Sequence, residues 1–239
     1  MLGNDKFTKR TQEENTPEFK KFKKISDEDR VLVRLIKEHI SPSKNSKILD
    51  VGGREGYISL PFARPENITI VDPDPVPKAP PGIIYIQKNI QDVDLGDQKF
   101  DLIITSHVWG DLQREEVAEQ IIHKLYDNLA LGGSLFLCYN SNTGFMTPLS
   151  EFAKKNLKQM RWDYFDENLL ESFSNIKKIN FITPVAYESF EEMGRFCWVL
   201  FATAEDDILE TAKIFTPFLK ENIDKPQFDL EQTLVIINP

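Results

Sequence analysis

The sequence is poor in the residues on which several common classes of protein depend. Its 239 residues include only two cysteines and three histidines. A disulfide-rich scaffold is therefore excluded, and no His, Cys and Asp cluster has the spacing of a metal site. No apolar run approaches the roughly 20 residues that span a bilayer. We therefore expect a cytoplasmic protein without a metal, in which Cys138 and Cys197 are small, buried packing groups.

Positive charge is also scarce. The chain has 29 Lys and Arg against 38 Asp and Glu, a net charge of −9, which disfavours broad binding to nucleic acid. One basic cluster, four lysines interleaved with two phenylalanines, lies at 19–24. A nucleic-acid arm is the alternative there, and a solvated helix or leader is favoured. We expect a flexible basic leader at 1–25, with a helical pattern that starts at Pro17.

The few glycines concentrate in one place. Of 11 in the chain, Gly52, Gly53 and Gly56 directly follow the apolar run 47–51. This order predicts a strand, a tight turn and a helix over 57–63. Glycine reaches positive φ without strain and lets a ligand lie close to the backbone, and a helix start offers unpaired N–H groups. A nucleotide-like cofactor is the leading hypothesis, and a turn without a ligand is the alternative.

Further apolar runs follow at intervals that suit an α/β protein. The run 68–72 ends in Asp72, twenty residues beyond Gly52, the spacing at which a carboxylate on the next strand reaches ribose hydroxyls. Crossover-length segments between successive runs predict a parallel sheet with helices on both faces. The strand candidates are 47–51, 68–72, 83–87, 101–105, 134–139, 177–183 and 196–203. Helices are predicted at 26–40, 114–128 and 205–223, and an extra strand at 228–238.

With these motifs in order, the chain resembles the class I S-adenosylmethionine-dependent methyltransferases over roughly 45–203. Asp50, Gly52 and Gly56 match the family's first motif, Asp-x-Gly-x-Gly-x-Gly, in which Arg54 replaces the middle glycine. The resemblance implies a doubly wound, mostly parallel seven-stranded sheet with an antiparallel seventh strand, the Rossmann-like methyltransferase fold. We assign that seventh strand to 196–203.

The resemblance also implies the cofactor, S-adenosyl-L-methionine, and the residues that hold it. Asp72 matches the acidic residue for the ribose, and Asn89 and Ile90 match the loop that meets the adenine ring. Ser106 belongs to the segment beside the methionine part of the cofactor. The implied cofactor-binding residues are Asp50, Gly52, Gly53, Arg54, Gly56, Asp72, Pro73, Asn89, Ile90 and Ser106.

The catalytic candidate is His107, which follows the fourth strand at the edge where ligands bind in open α/β sheets. A histidine there could take a proton from an oxygen or nitrogen nucleophile; a hydrogen-bonded histidine in the cofactor wall is the alternative. Trp109, Tyr139 and Asn140 are candidates for substrate binding. Core packing is the alternative for Trp109, and loop capping for the other two.

The acceptor is predicted less directly. Adenine methylases of the resembled family carry an Asn/Asp-Pro-Pro-aromatic tetrad after the fourth strand, where this chain has Thr105-Ser106-His107-Val108. We therefore expect a small-molecule acceptor first and a protein side chain second, below an apolar lid of aromatic residues from 145–196. A protein of this fold that binds without turnover is a further alternative. The fingerprint of NAD-dependent dehydrogenases, Gly-x-Gly-x-x-Gly, is not in register here.

The domain organisation follows from these assignments. We expect a methyltransferase domain at 26–203, preceded by the leader and followed at 204–239 by a helix and strand that pack on the same domain. The sequence leaves the oligomeric state open.

Overall fold

The computed structural model describes residues 17–75, 80–109, 115–141, 143–157, 165–201 and 207–239, without the side chains of 115 and 116. Within these ranges the chain forms seven strands and six α-helices. The strands are β1 Ile48–Val51, β2 Ile68–Val71, β3 Ile84–Ile86, β4 Phe100–Ser106, β5 Leu129–Asn140, β6 Ile176–Ala186 and β7 Gln227–Ile237. The helices are α1 Pro17–Ile25, α2 Glu28–His39, α3 Glu115–Asp127, α4 Met146–Asn156, α5 Phe190–Phe201 and α6 Ile208–Asn222.

The seven strands form one sheet in the order β3-β2-β1-β4-β5-β7-β6. Central strand β1 pairs in parallel with β2 and β4, so that Ile48 faces Ile68 on one side and Leu102 on the other. β3 and β5 extend the parallel part beyond these neighbours. The predicted fold class, a doubly wound and mostly parallel seven-stranded sheet with an antiparallel seventh strand, is confirmed.

Successive residues of the central strands are buried on opposite faces of the sheet, as the period of two requires. Leu49 joins a cluster with Ile121 and Leu125 of α3. Its neighbour Ile48 joins the cluster that contains Leu32 of α2. Because both faces are covered by helices, the strands are apolar without alternation, which is why the sequence revealed them.

The predicted helix after the glycine-rich turn is wrong. Residues 54–62 form a series of turns, in which the N–H of Leu60 donates to the carbonyl oxygen of Gly56 at 2.9 Å. The physical reason is Pro61, which has no N–H to donate and whose ring excludes regular helix.

The predicted strand at 196–203 is also wrong. Residues 190–201 form helix α5, and the seventh strand is β7, which was predicted only as an extra strand and lies between β5 and β6. The segment is so rich in apolar residues that periodicity could not separate the two states. Its most buried residues nevertheless follow helical spacing: Met193, Phe196, Cys197 and Phe201.

The glycine pair near the start of the fifth strand does not precede β5 but lies inside it. β5 begins at Leu129, which pairs with Phe100, whereas Ser134 pairs with Leu102. The four residues between Leu129 and Ser134 therefore bulge out of register, and Gly132 takes a φ of 76° there.

The chain divides into two compact units. The first contains the described parts of 1–28, 141–163 and 182–232, and the second those of 29–140, 164–181 and 233–239. The second unit holds strands β1 to β5 and the two clusters that cover them.

The first unit has an aromatic core of its own. The ring of Phe22 on α1 stacks on Phe196 of α5 with centroids 4.8 Å apart, and Phe201 stacks on Phe215 of α6 at 5.9 Å. Residues 17–25, which the sequence assigned to a flexible leader, are thus helical, because burial of Phe22 fixes them. Residues 1–16 of that leader lie outside the described residues.

A glycine in the middle of α5 explains how closely α5 and α6 pack. A Cβ on Gly194 would lie 2.6 Å from Thr216 Oγ1 and 3.1 Å from the carbonyl oxygen of Ala212. The Gly194→Ala variant should therefore lower the free energy of unfolding by about 1–3 kcal/mol, although alanine favours a helix by about 1 kcal/mol. Urea unfolding measures this, and a Thr216→Ala background should reduce the cost. A stabilised Gly194→Ala variant would contradict the packing of α5 on α6.

Candidate functional site

The turn after β1 is held between the ends of two other strands. The N–H of Gly52 donates to the carbonyl oxygen of Val71, the last residue of β2, at 2.8 Å. Gly52 has a φ of 73°, and a Cβ there would lie 2.4 Å from Val108 Cγ1, in the segment after β4. Glycine is therefore required at position 52 for two reasons: its positive φ and the close approach of the loop after β4. The loops after β1 and β4 thus lie in contact at one edge of the sheet.

Arg54 has a left-handed backbone conformation at the position where the resembled motif has a glycine. Its φ is 46°, and that of Gly56 is 75°. A left-handed conformation costs a residue with a Cβ roughly 1–2 kcal/mol, so other contacts must stabilise it here. One is the backbone N–H of Arg54, which donates to Asp72 Oδ2 at 3.2 Å. The turn over 52–56 is thus left-handed at Gly52, Arg54 and Gly56.

Asp50 is a carboxylate buried at the end of β1. Its side chain is only 1% exposed, and Gly53 lies so close that a Cβ there would be 2.3 Å from Asp50 Cγ. Burial raises the pKa of Asp50 to about 7, against the opposing effect of the Ser59 hydroxyl. Among the described residues, Asp50 Oδ2 has no hydrogen-bond partner. A buried acceptor without a hydrogen bond lowers the stability of the folded state. Asp50 Oδ2 is therefore suited to accept from a donor or to pair with a cation.

Asp72 directly follows β2, and its carboxylate accepts hydrogen bonds from two backbone N–H groups. Its Oδ2 accepts from Arg54, and its Oδ1 accepts from the N–H of Asp74 at 2.9 Å. The side chain is buried, and this burial raises the pKa of Asp72. A carboxylate has about four acceptor positions, so two remain for hydroxyl groups of a ligand. The next residue, Pro73, offers its carbonyl oxygen to Gln87 Nε2 at 3.5 Å.

The loop after β3 forms a short 3-10 turn over Ile90–Asp92. Ile90 is buried, whereas Asn89 is half-buried and its amide contacts Asp92 Oδ2 at 3.5 Å. Lys124 of α3 donates to the carbonyl oxygen of Ile90 at 2.9 Å and also to that of Val93. Its partial burial lowers the pKa of Lys124. No sequence pattern indicated this contact, because a lysine in an amphipathic helix ordinarily faces solvent.

His107 directly follows β4 in a strained conformation. Its φ is 55°, and its backbone N–H donates to the carbonyl oxygen of Cys138 on β5 at 3.1 Å. The ring atom Nε2 lies 4.0 Å from Cys138 Sγ. Left-handed residues other than glycine cluster at functional sites. Ser106, the preceding residue, pairs with Cys138 in the sheet and is half-buried.

The candidates for substrate binding lie deeper than expected. Trp109 is 4% exposed and Tyr139 is 2% exposed, and both rings pack on Phe165, edge-on at 5.1 Å and stacked at 4.9 Å. The hydroxyl of Tyr139 donates to Glu167 Oε1 at 2.6 Å. Asn140 is also buried. These positions fit the core-packing alternative for Trp109, and a role of any of the three in substrate binding stays a prediction.

Glu167, which sequence reasoning missed, connects this aromatic group to the surface. It forms an ion pair with Lys178, and the hydrogen bonds from Lys178 and Tyr139 lower the pKa of Glu167 against the effect of its desolvation. Burial and Glu167 together raise the pKa of the Tyr139 hydroxyl. Tyr139 is therefore a hydrogen-bond donor rather than a base at neutral pH.

The aromatic residues expected to form a lid pack in hydrophobic cores. Phe145, Phe152, Tyr187 and Phe190 belong to or pack against the core of the first unit, and Phe165 belongs to that of the second. Trp162 and Tyr164 lie outside the described residues. A lid over the substrate stays a prediction.

The described residues form neither a metal cluster nor a membrane-spanning helix. No three His, Cys, Asp or Glu side chains in those ranges come together as metal ligands could. None of the helices within them has the length and apolar character of a bilayer-spanning segment. Cys138 and Cys197 are buried and unbridged.

Comparison with known proteins agrees with this geometry. A family model described as a methyltransferase domain matches residues 24–190, which is 167 of the 239 residues. The release factor glutamine methyltransferase of Flavobacterium psychrophilum is 28% identical over 165 residues, which cover 62% of this chain and 56% of the relative. The chain thus spans about half the length of this curated relative.

Solved structures share the fold at low identity. The N-methyltransferase NodS of Bradyrhizobium japonicum WM9, solved with S-adenosyl-L-homocysteine, superimposes with a TM-score of 0.58 at 13% identity, over 99% of this chain and 100% of that one. YcgJ of Bacillus subtilis gives a TM-score of 0.61 at 13% identity, over 87% and 98%. Since the family model covers more than half of the sequence, the chain belongs to the class I methyltransferases, enzymes that use S-adenosylmethionine.

Proposed function

We propose that this protein transfers a methyl group from S-adenosylmethionine to an oxygen or nitrogen atom of a small-molecule acceptor. The observation that carries the proposal is the pair of buried carboxylates, Asp50 and Asp72, at the ends of adjacent strands β1 and β2. Between them lies a turn with three left-handed residues, Gly52, Arg54 and Gly56. This combination offers acceptors for cationic and hydroxyl groups beside backbone that a ligand can approach closely.

The described residues fit the cofactor that the family uses. Asp50 Oδ2, buried and without a partner in the described structure, suits the ammonium group of the cofactor, directly or through water. Asp72 keeps capacity for the ribose hydroxyls, and Asn89 and Ile90 lie at the loop assigned to adenine. When bound, S-adenosylmethionine supplies an electrophilic methyl group on a sulfonium. The protein then supplies position and a shaped site.

His107 is the residue that we assign to proton removal. Methyl transfer to a neutral O–H or N–H group releases a proton, and a histidine has a pKa suited to accept it at neutral pH. The N–H of His107 donates to the carbonyl oxygen of Cys138 and holds its backbone at the carboxyl end of β4, and the ring lies 4.0 Å from the thiol of Cys138. This is the edge at which ligands bind in open α/β sheets.

The acceptor is assigned from the segment after β4 and from the charge of the chain. Thr105-Ser106-His107-Val108 replaces the tetrad that adenine methylases carry, and a net charge of −9 opposes nucleic-acid binding. A small amine, phenol or carboxylate requires neither the adenine-methylase tetrad nor a positively charged protein surface. The second candidate is the amide of a protein glutamine, because the Flavobacterium psychrophilum relative is named as a release factor glutamine methyltransferase.

Calorimetric titration with S-adenosylmethionine and S-adenosylhomocysteine tests the cofactor site. The wild-type protein should bind both, and Asp72→Ala should weaken binding by about 1.5–3 kcal/mol, roughly 10- to 100-fold in Kd. Asp101→Asn is a matched control, because this exposed carboxylate accepts from Lys47 at the opposite end of the sheet. A folded wild-type protein that binds neither compound would refute the proposal. Unchanged binding by Asp72→Ala would refute the ribose assignment alone.

The variant Asp50→Asn should change stability and cofactor binding in opposite directions. An unfolded aspartate ionises at about pH 3.9, and the folded pKa of Asp50 is raised to about 7. The folded state therefore binds more protons over this range, and stability falls as pH rises from about 4 to 7. At pH 8 the variant should be more stable than wild type by about 1–3 kcal/mol, and the difference should vanish toward pH 4.

Urea unfolding at pH 4.5, 6 and 8 measures this difference, provided that wild type is folded at each pH. The same substitution should weaken S-adenosylmethionine binding, because it removes the charge that faces the cofactor's ammonium group. A stability difference that does not change with pH would show that the burial of Asp50 does not raise its pKa.

A transfer assay with isotopically labelled methyl donor tests the acceptor and His107. Label should appear on members of a panel of small amines, phenols and carboxylates. Replacement of His107 by glutamine should then lower kcat by roughly 10²–10⁴-fold with the cofactor Kd unchanged. His123→Gln is the control, because His123 stacks on Phe173 at 4.9 Å as a packing residue. Label only on a glutamine-containing peptide would favour the second candidate, and full activity of His107→Gln would leave His107 as a wall residue.

A further inference from the structure

The loops after β1 and β2 are joined by a closed ring of contacts around one arginine. The backbone N–H of Arg54 donates to Asp72 Oδ2 at 3.2 Å, and the backbone N–H of Asp74 donates to Asp72 Oδ1 at 2.9 Å. The ring closes through an ion pair without a hydrogen bond, since Arg54 Nη1 lies 3.8 Å from Asp74 Oδ2. We call this arrangement the Arg54–Asp74 clamp. Both ends of the Asp72 carboxylate are thus fixed by the two residues that also pair with each other.

The ion pair of the clamp is sheltered from solvent. Asp74 is 4% exposed, and the side chain of Arg54 is 22% exposed. The carbonyl oxygen of Asp74 also accepts the hydroxyl proton of Tyr85 from β3. Exposed ion pairs contribute little because water screens them and both side chains must be ordered. Here burial reduces the screening by water, and the fixed backbone of Asp74 reduces the entropy lost when the side chains are ordered.

Arg54 needs a partner for two reasons. Its left-handed φ of 46° would cost a glycine nothing, so contacts must compensate for the strain. Its guanidinium also lies among carboxylates, with Nε 3.9 Å from Glu55 Oε2. Of the nearby acids, Asp72 is the one that we assign to the ribose. Without Asp74 to hold it, the guanidinium would be drawn toward the Asp72 carboxylate and would compete with the ligand there.

We infer that Asp74 is a positioning residue for the cofactor site, and this inference depends on the proposed function. Asp74 holds the Arg54 guanidinium away from Asp72 and keeps the left-handed turn in the conformation that receives the ligand. A glycine at position 54, as in the family motif, has no side chain to restrain. The requirement for Asp74 is therefore specific to a chain with arginine at this position, and it should disappear when that arginine is removed.

A double-mutant cycle on Arg54 and Asp74 tests the inference. The Kd of S-adenosylhomocysteine is measured by calorimetry for wild type, Asp74→Asn, Arg54→Gly and the double variant. In the arginine background Asp74→Asn should raise the Kd about tenfold, the scale of coupling between contacting charged residues. In the Arg54→Gly background the same change should alter the Kd less than about twofold. Asp74→Glu, which keeps the charge, should recover part of the loss.

Two further measurements test whether the effect is local to the ribose site. Methylthioadenosine, which keeps the ribose but lacks the amino acid, should lose the same factor as S-adenosylhomocysteine, because the clamp acts on Asp72. Glu38→Gln is the control; Glu38 forms an exposed ion pair with Arg34 at 2.9 Å on α2, and its loss should not change the Kd.

The outcomes distinguish a failure of the Asp74 inference from a failure of the proposed function. Equal effects of Asp74→Asn in both backgrounds, or no effect in the arginine background, would overturn the inference while the cofactor site stands. If the folded wild-type protein does not bind S-adenosylhomocysteine, the proposed function fails and the inference fails with it. If thermal unfolding shows that Arg54→Gly is not folded, Arg54→Ala replaces it in the cycle with the same expected result.

Discussion

The candidate site depends on one buried carboxylate, that of Asp50 at the carboxyl end of β1. A parallel sheet covered on both faces leaves its strand ends as the place where the chain can carry polar groups. Asp50 is placed there with burial severe enough to raise its pKa to about 7. The carboxylate fits in this place because Gly53 has no side chain to collide with it. The turn that follows β1 has three left-handed residues, Gly52, Arg54 and Gly56.

Sequence reasoning recovered the part of the fold that is specified by local pattern. Five-residue segments at 47–51, 68–72 and 101–105 predicted β1, β2 and β4, because strands buried on both faces are apolar nearly throughout. The segment 83–87 predicted β3, although Ile84 of that strand is exposed. The same rule failed at 190–201, where a buried helix is also apolar nearly throughout and length alone did not separate the two. The order of the last two strands could not follow from pattern either, because β7 enters the sheet from the end of the chain.

The sequence motifs predicted the residues of the turn. They did not predict contacts between side chains that are distant in sequence. Asp50 lies in β1, and Gly52, Arg54, Gly56 and Asp72 lie on the loops that follow β1 and β2. Their role in cofactor binding stays a prediction. The contact of Lys124 with the loop after β3 and that of Glu167 with Tyr139 join residues 28 or more positions apart. No periodicity records such pairs. The left-handed φ of His107 was equally hidden, because strain in a histidine has no signature in composition.

The charges around the turn also limit which ligand the site favours. Glu55, Asp72 and Asp74 surround the single arginine of the turn, while Asp50 lies buried nearby. A sulfonium cofactor that also carries an ammonium group benefits from excess negative charge. An arginine beside the same ligand would oppose that benefit unless another acid neutralised it. Asp74 meets this need from a backbone position already fixed by Asp72, so the loop can keep an arginine at a glycine position without losing the field that favours a cationic ligand.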